Sequence, residues 1–259
     1  MAAALKSTSE GQTLILTLSN PEFKNALGPD IYAAGIEALN AAENNVDIRS
    51  VVITGEGGIF CAGGQLQRLQ ANRRELPEVQ LQSIEGLHNL IDSIRTYPKP
   101  VIAAVEGAAA GAGFSLALAC DFCIAAENAV FVMAYSTVGL SPDGGGSWAI
   151  ARSLPRALAS ELLMGGERIS AQRLHDFGLV NRVTNAGATL VEAMALAEGL
   201  NARAPNALAS IKELINAAPG NALSQQMERE RDHFVSNLHH VNGGEGIDAF
   251  LERRIPRYR

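Results

Sequence analysis

Cysteine is scarce in this chain, with three residues among 259: Cys61, Cys120 and Cys123. An odd, small number of thiols excludes a disulfide framework as the basis of the fold. Cys120 and Cys123 do spell a C-x-x-C, but "CDFCIAA" has the pattern of a helix end running into a strand. A redox pair of that spacing opens a helix instead, so buried, unreactive thiols are expected. No second C-x-x-C and no nearby His-x-x-His accompanies it, which removes the usual zinc arrangement. Basic runs are missing as well. Lys and Arg number 21 against 27 Asp and Glu, the net charge is −6, and the longest basic runs are the pairs Arg73-Arg74 and Arg253-Arg254. A nucleic-acid partner is therefore not expected. Nor is there an uninterrupted apolar run long enough to cross a membrane. The nearest approach, "PVIAAVEGAAAGAGFSLALACD", carries Glu106 and three glycines, and a Pro-Lys-Pro begins just before it, so no membrane partner is expected either. The opening "MAAALKSTSEG" has too short an apolar stretch for a secretory leader, and the expected location is cytoplasmic. Solenoid repeats and low-complexity linkers are absent.

What is present is a core-forming chain, 47% apolar, long enough for one enzyme-sized unit with or without an appendage. "QTLILTL" and "RSVVITG" are β-branched apolar runs bounded by turn residues and predict strands. Between them, Ile31, Ile36 and Leu39 recur at helical spacing behind Pro29, which completes a β-α-β opening. A helix ending at the prolines of "TYPKP", a strand "VIAAV" and a helix from about Gly111 follow. "FCIAA" and "AVFV" predict two more strands, and the rest is mostly helical. A boundary near Val183 to Ala188 would divide a core, residues 1–187, from a helical part, residues 188–259.

The glycines at 107, 111 and 113 do not spell the dinucleotide-binding G-x-G-x-x-G. They make a turn of very small residues between a strand and an apolar helix. Such a turn lets a ligand approach the main chain, and the helix start offers unpaired N–H groups for an anion or oxyanion. The same residues also suit close helix packing, which needs small side chains and nothing more. A second turn of the same kind, Cys61-Ala62-Gly63-Gly64, lies between "VVITG" and a helix. Two such turns can aim one N–H each at a single oxygen.

"NPEFKNAL", "FCAGGQL", "KPVIAAVEGAAAGAGFSLALACD", "GLSPDGGGSW" and "ERISAQRLHDFGLVNRV", in this order and spacing, resemble the crotonase superfamily, the enoyl-CoA hydratase/isomerase family, over nearly the whole chain. The resemblance implies an α/β fold, the crotonase (ClpP-like) spiral of ββα units with a helical C-terminal trimerisation region, and a homotrimer or hexamer. It implies an acyl-CoA substrate whose thioester carbonyl is held by the N–H groups of Gly64 and Ala112. It implies that Lys24, Ala26, Ala62 and Gly111 meet the coenzyme A part, which is substrate, with no separate cofactor and no metal. Phe250 and Arg253, in the last helix "EGIDAFLERRIPRYR", are candidates to cover coenzyme A or a neighbouring subunit.

The departures from the family pattern carry the functional argument. Hydratases of the family use two glutamates to handle water, and at the matching positions this chain has Ser115 and Tyr135. Tyr135 remains a candidate aromatic wall of the acyl pocket with a hydroxyl to donate. A carboxylate does occur at Asp143, where it suits a turn or helix cap. "FVMAYSTVGLSPDGGGSW" resembles the matching segment of ring-epoxide isomerases of phenylacetyl-CoA degradation and of some double-bond isomerases, in which an aspartate here faces the substrate. His88 lies about one helical turn, roughly four residues, from where the family's dehalogenases carry a base and is expected to be an ordinary half-buried residue. Trp148 suits either a pocket wall or packing. The implied activity is that of an acyl-CoA isomerase in which Asp143 moves a proton. The alternatives are an enoyl-CoA hydratase with a non-standard base and a CoA-ester-binding protein with degenerate catalysis.

Overall fold

The two strands expected near the start form as β2 (Thr13–Ser19) and β3 (Ser50–Gly55) in the computed structural model, which describes residues 3–259. The helix between them, α1 (Pro29–Glu43), carries the chain back so that β2 and β3 pair in parallel. A strand that sequence pattern does not reveal, β1 (Ala4–Glu10), pairs antiparallel with β2 from Ala4 opposite Ser19 to Glu10 opposite Thr13. Nearly all its side chains are exposed, so it lacks the apolar alternation that marks a strand. Gly11, at φ +55°, turns the hairpin.

The main sheet has the order β1-β2-β3-β4-β6-β9, where β4 is Val101–Val105, β6 is Phe122–Ala126 and β9 is Arg182–Thr184. Every pairing after the first is parallel. Parallel sheets are covered on both faces, and the near-continuous apolar runs of β3 and β4 divide accordingly. Val51, Ile53, Val101, Ala103 and Val105 enter one core with α1, α3 (Pro77–Thr96) and α4 (Ala112–Ala119). Val52, Ile102, Ala104 and Ile124 enter a second core with Ala193 and Ala197 of α8 (Thr189–Asn201). These alanines are one helical turn apart and let α8 lie close to the strands. The sheet's second face is thus covered from beyond residue 187.

A smaller sheet, β5-β7-β8, comprises Ala108–Ala110, Val130–Val132 and Ile169–Ser170. The first of these segments has the composition of a turn, yet it is a strand paired in parallel with β7. The remaining helices are α2 (Leu66–Asn72), α5 (Gly146–Ser153), α6 (Arg156–Gly165), α7 (Ala171–Asp176), α9 (Pro205–Ala217), α10 (Leu223–Leu238) and α11 (Val241–Leu251). None of the described helices is long and apolar enough to cross a membrane. Helix α9 is tied to the core by Lys212, whose Nζ donates to Asp121 Oδ2 at 2.7 Å and to the Ile94 carbonyl at 2.9 Å. Burial pushes the Asp121 carboxyl up and the Lys212 ammonium down against their mutual attraction. Removing one partner of such a pair costs about 3–5 kcal/mol.

Cys61 and Cys123 are buried, and burial pushes both thiols up to about 12. Cys120, beside Asp121, is also raised well above the ordinary thiol value, chiefly by burial. The native protein at pH 8 should therefore resist an aromatic disulfide reagent, while all three thiols react in guanidinium. Stoichiometric reaction of the native protein within minutes would contradict this packing.

Candidate active site

The segment Phe60–Gly64 is held along both edges by main-chain hydrogen bonds. On one side Phe60 N–H donates to Glu106 O at 2.8 Å, Cys61 N–H to Ala108 O at 2.9 Å, and Ala110 N–H to Cys61 O at 2.9 Å. On the other, Ala62 N–H donates to Lys24 O at 3.0 Å and Leu27 N–H to Gly63 O at 2.8 Å. The turn is thereby pressed against the start of α4. A Cβ on Gly63, whose φ is +87°, would stand 2.5 Å from Ala110 O and 3.3 Å from Ala112 N. A Cβ on Gly113 would stand 2.5 Å from Cys61 O. Gly111, at φ +51°, redirects the chain from β5 into α4, so that Ala112 is the first helical residue. The missing side chains therefore let the two turns meet. The N–H groups of Gly64 and Ala112 have no hydrogen-bond partner among the described residues.

The segment that holds the outer edge is itself unusual. Lys24 and Asn25 both lie in the left-handed region, at φ +52° and +58°, which asparagine tolerates better than most residues. Asn25, 1% exposed, donates to Glu56 O at 2.8 Å and Ile59 O at 2.6 Å and accepts from Asn20 N–H at 3.0 Å. Asn20 Nδ2 donates to Ala26 O at 3.0 Å. These two asparagines fix the loop that presents Lys24, exposed, and Ala26, buried, beside the half-buried Ala62. Sequence reasoning missed them, although both stand in "NPEFKNAL".

Ser115 and Tyr135, the positions where the resemblance implies glutamate in hydratases, both engage Asp143. Ser115, in the first turns of α4, donates from Oγ to the Asp143 main-chain carbonyl at 2.9 Å. Tyr135, 9% exposed, donates from its hydroxyl to Asp143 Oδ1 at 2.6 Å. Its ring stands over Gly111, where an added Cβ would be 3.5 Å from Cζ. Burial pushes the Tyr135 phenol far up, and the adjacent carboxylate adds to the effect, so this hydroxyl remains a donor across the working pH range. Asp143 does not cap α5: the cap position is Gly145, at φ +75°, with no side-chain bond. Gly146 lets the loop settle on α4, since a Cβ there would meet Ser115 Oγ at 2.5 Å. The result is a half-buried carboxylate held next to the Gly111–Ala112 turn.

Other candidates fall outside this group. Trp148 is 44% exposed, with Arg95 and Arg152 guanidinium carbons 4.5 and 5.0 Å from its ring centroid. It lines a separate hollow of about 430 Å³ with Leu118, Cys120 and Ile211. His88 is exposed rather than half-buried. Phe250, 84% exposed on α11, borders a shallow hollow with Ala204 and Tyr258 and is not brought to the Gly64–Ala112 turns within this chain. Conversely, two residues that the sequence does not single out do reach the site's surroundings. The buried Tyr32 hydroxyl lies within the electrostatic reach of Arg68, Asp143 and Cys61. Burial raises its pKa, partly offset by the Arg68 cation.

The chain resembles known proteins along nearly its whole length. The family model described as enoyl-CoA hydratase/isomerase matches residues 8–259. A curated relative, the 1,2-epoxyphenylacetyl-CoA isomerase of Escherichia coli, is 36% identical over 260 residues, covering 100% of this chain and 99% of the relative. The 2,3-dehydroadipyl-CoA hydratase of the same organism is 34% identical, covering 96% and 95%. A crystal structure from Polaromonas sp. JS666, named an enoyl-CoA hydratase, superposes with a TM-score of 0.98 at 83% identity, covering 99% and 100%.

The contact between the turns yields a direct test. Gly63→Ala places a methyl group 2.5 Å from Ala110 O and 3.3 Å from Ala112 N, at a φ of +87°, and must force the 61–64 turn away from the start of α4. Losing one oxyanion donor costs about 3 kcal/mol, so kcat on a thioester substrate should fall by about 10²-fold or more. Wild-type turnover by a folded Gly63→Ala protein would exclude the paired turns as the carbonyl site.

Proposed function

We propose that this chain, which belongs to the enoyl-CoA hydratase/isomerase family, is an acyl-CoA isomerase that moves a double bond or an equivalent carbon–hydrogen bond through a thioester enolate. The Gly64 and Ala112 N–H groups bind the thioester oxygen. Charge that develops on this oxygen as a proton leaves the acyl chain is stabilised by two fixed dipoles in a partly enclosed site. Asp143 takes that proton and returns it to another carbon. Tyr135 holds the carboxylate in position, and Ser115 holds the main chain that carries it.

The observation that carries this reading is the occupancy of the two glutamate positions by Ser115 and Tyr135, both bonded to Asp143. Hydration needs a base to deprotonate water and an acid to protonate the α-carbon. Isomerisation needs one group that does both jobs in turn. The isomerase name of the Escherichia coli relative supports this reading, whereas the hydratase names of the other two proteins favour the rival in which Asp143 activates water. Lys24, Ala26, Ala62 and Gly111 would meet the coenzyme A portion, which is part of the substrate; enolate chemistry at a thioester needs no further cofactor. Phe250 and the exposed apolar residues of α10 and α11, such as Met227, Phe234 and Leu251, suit contacts within a homotrimer or hexamer, where Phe250 of one protomer would cover the ligand of another. Three unpaired thiols suit a reducing compartment, the cytoplasm.

The test is a paired assay. A β,γ-unsaturated acyl-CoA should be converted to its conjugated isomer at least about 10²-fold faster than crotonyl-CoA is hydrated, since one missing acid–base group is worth about 10²-fold or more. Asp143→Asn keeps size but cannot take the proton, so isomerisation should fall by about 10²-fold or more while the affinity for a saturated acyl-CoA changes little. Efficient crotonyl-CoA hydration, or full isomerase activity in Asp143→Asn, would refute the assignment.

A further inference from the structure

Arg68 lies on α2, one turn beyond Gly64, and its side chain runs inward. Its Nε is withdrawn from solvent and has no hydrogen-bond partner among the described residues. No carboxylate forms an ion pair with it among them either. The guanidinium packs over Gly28, where any Cβ would overlap Nη1. A side chain at position 28 would make the guanidinium shift from this place. Beyond it stands the Tyr32 ring, packed against Gly86 of α3, where a Cβ would be 3.2 Å from Tyr32 Cδ2. The Tyr32 hydroxyl lies between opposing influences, the Arg68 cation and the Asp143 carboxylate, and within reach of Cys61 in the carbonyl-binding turn.

A half-buried guanidinium with a solvent-free, unpartnered N–H is a costly arrangement. Asp143 does not relieve it, since its carboxylate forms no ion pair with Arg68 among the described residues. An anion supplied by the ligand would complete the arrangement, and a carboxylate fits the planar fork of arginine with two parallel hydrogen bonds. The Tyr32 hydroxyl, kept protonated by burial and itself a hydrogen-bond partner of the Arg68 guanidinium, offers its proton as a further donor.

We propose that Arg68 and Tyr32 form the binding site for a carboxylate at the far end of the acyl group, so that the preferred ligands are thioesters of dicarboxylic acids. The proposal rests on the reading of the Gly64–Ala112 turns as the thioester site. It does not depend on which reaction follows.

Saturated thioesters neither isomerise nor hydrate, so their binding separates this proposal from the isomerase assignment. Calorimetric titration of the full-length protein would compare glutaryl-, adipoyl- and suberoyl-CoA with pentanoyl-, hexanoyl- and octanoyl-CoA. At least one dicarboxylyl thioester should bind about tenfold or more tightly than its neutral counterpart, a typical margin for one charge-assisted contact. Arg68→Met should abolish that preference and leave the neutral thioester within about twofold, and Tyr32→Phe should reduce it. No preference at any of these lengths in the wild type would overturn the proposal. So would a preference unchanged in Arg68→Met, or an equal loss of affinity for charged and neutral thioesters, which would assign the anion to coenzyme A itself.

Discussion

The structure depends on a two-sided main-chain clamp around Cys61–Gly64. Strand β5 grips one edge through Cys61, and the Lys24–Leu27 segment grips the other through Ala62 and Gly63. Each grip is a pair of ordinary hydrogen bonds, individually worth about 1 kcal/mol net. Their effect is geometric. They leave the turn no freedom to retreat from α4, and the missing Cβ atoms at Gly63 and Gly113 let it approach without strain. An N–H that meets the developing charge in place needs no reorganisation during the reaction. The asparagines at 20 and 25 act one layer further out, holding the clamp's outer jaw in a left-handed bend.

From this fixed point the rest of the site follows by short reaches. Gly111 starts α4 directly after β5, so Ser115 falls one turn inside the helix and faces the 143–146 loop. That loop, rich in glycine, folds down onto Ser115 and turns Asp143 toward Tyr135. Ser115 therefore holds the main chain of Asp143, and Tyr135 holds its carboxylate.

Much of this was legible in the chain. The alternation of Val51, Val52 and Ile53 between two cores is what an apolar β-branched run in a parallel sheet requires. The small-residue turns announced a close main-chain approach. What was not legible has specific causes. Strand β1 is an edge that buries little beyond Leu5. Strand β5 is three alanines, residues with low strand preference, and exists because its neighbours supply the hydrogen bonds. The roles of Asn20, Asn25, Tyr32 and Arg68 come from contacts between segments distant in sequence, which periodicity cannot convey. Trp148, placed near the site by sequence position, lies against two arginines elsewhere.

The claim on which the account rests is that the clamp aims two N–H groups at a thioester oxygen. Infrared difference spectroscopy of butyryl-CoA carrying a carbon-13 thioester carbonyl reads this directly, because hydrogen bonds to the oxygen lower the stretching frequency. The account predicts a clear shift to lower frequency on binding to the native protein, largely reversed in the complex with Gly63→Ala. A carbonyl band in the native complex at the frequency of the free thioester would contradict it.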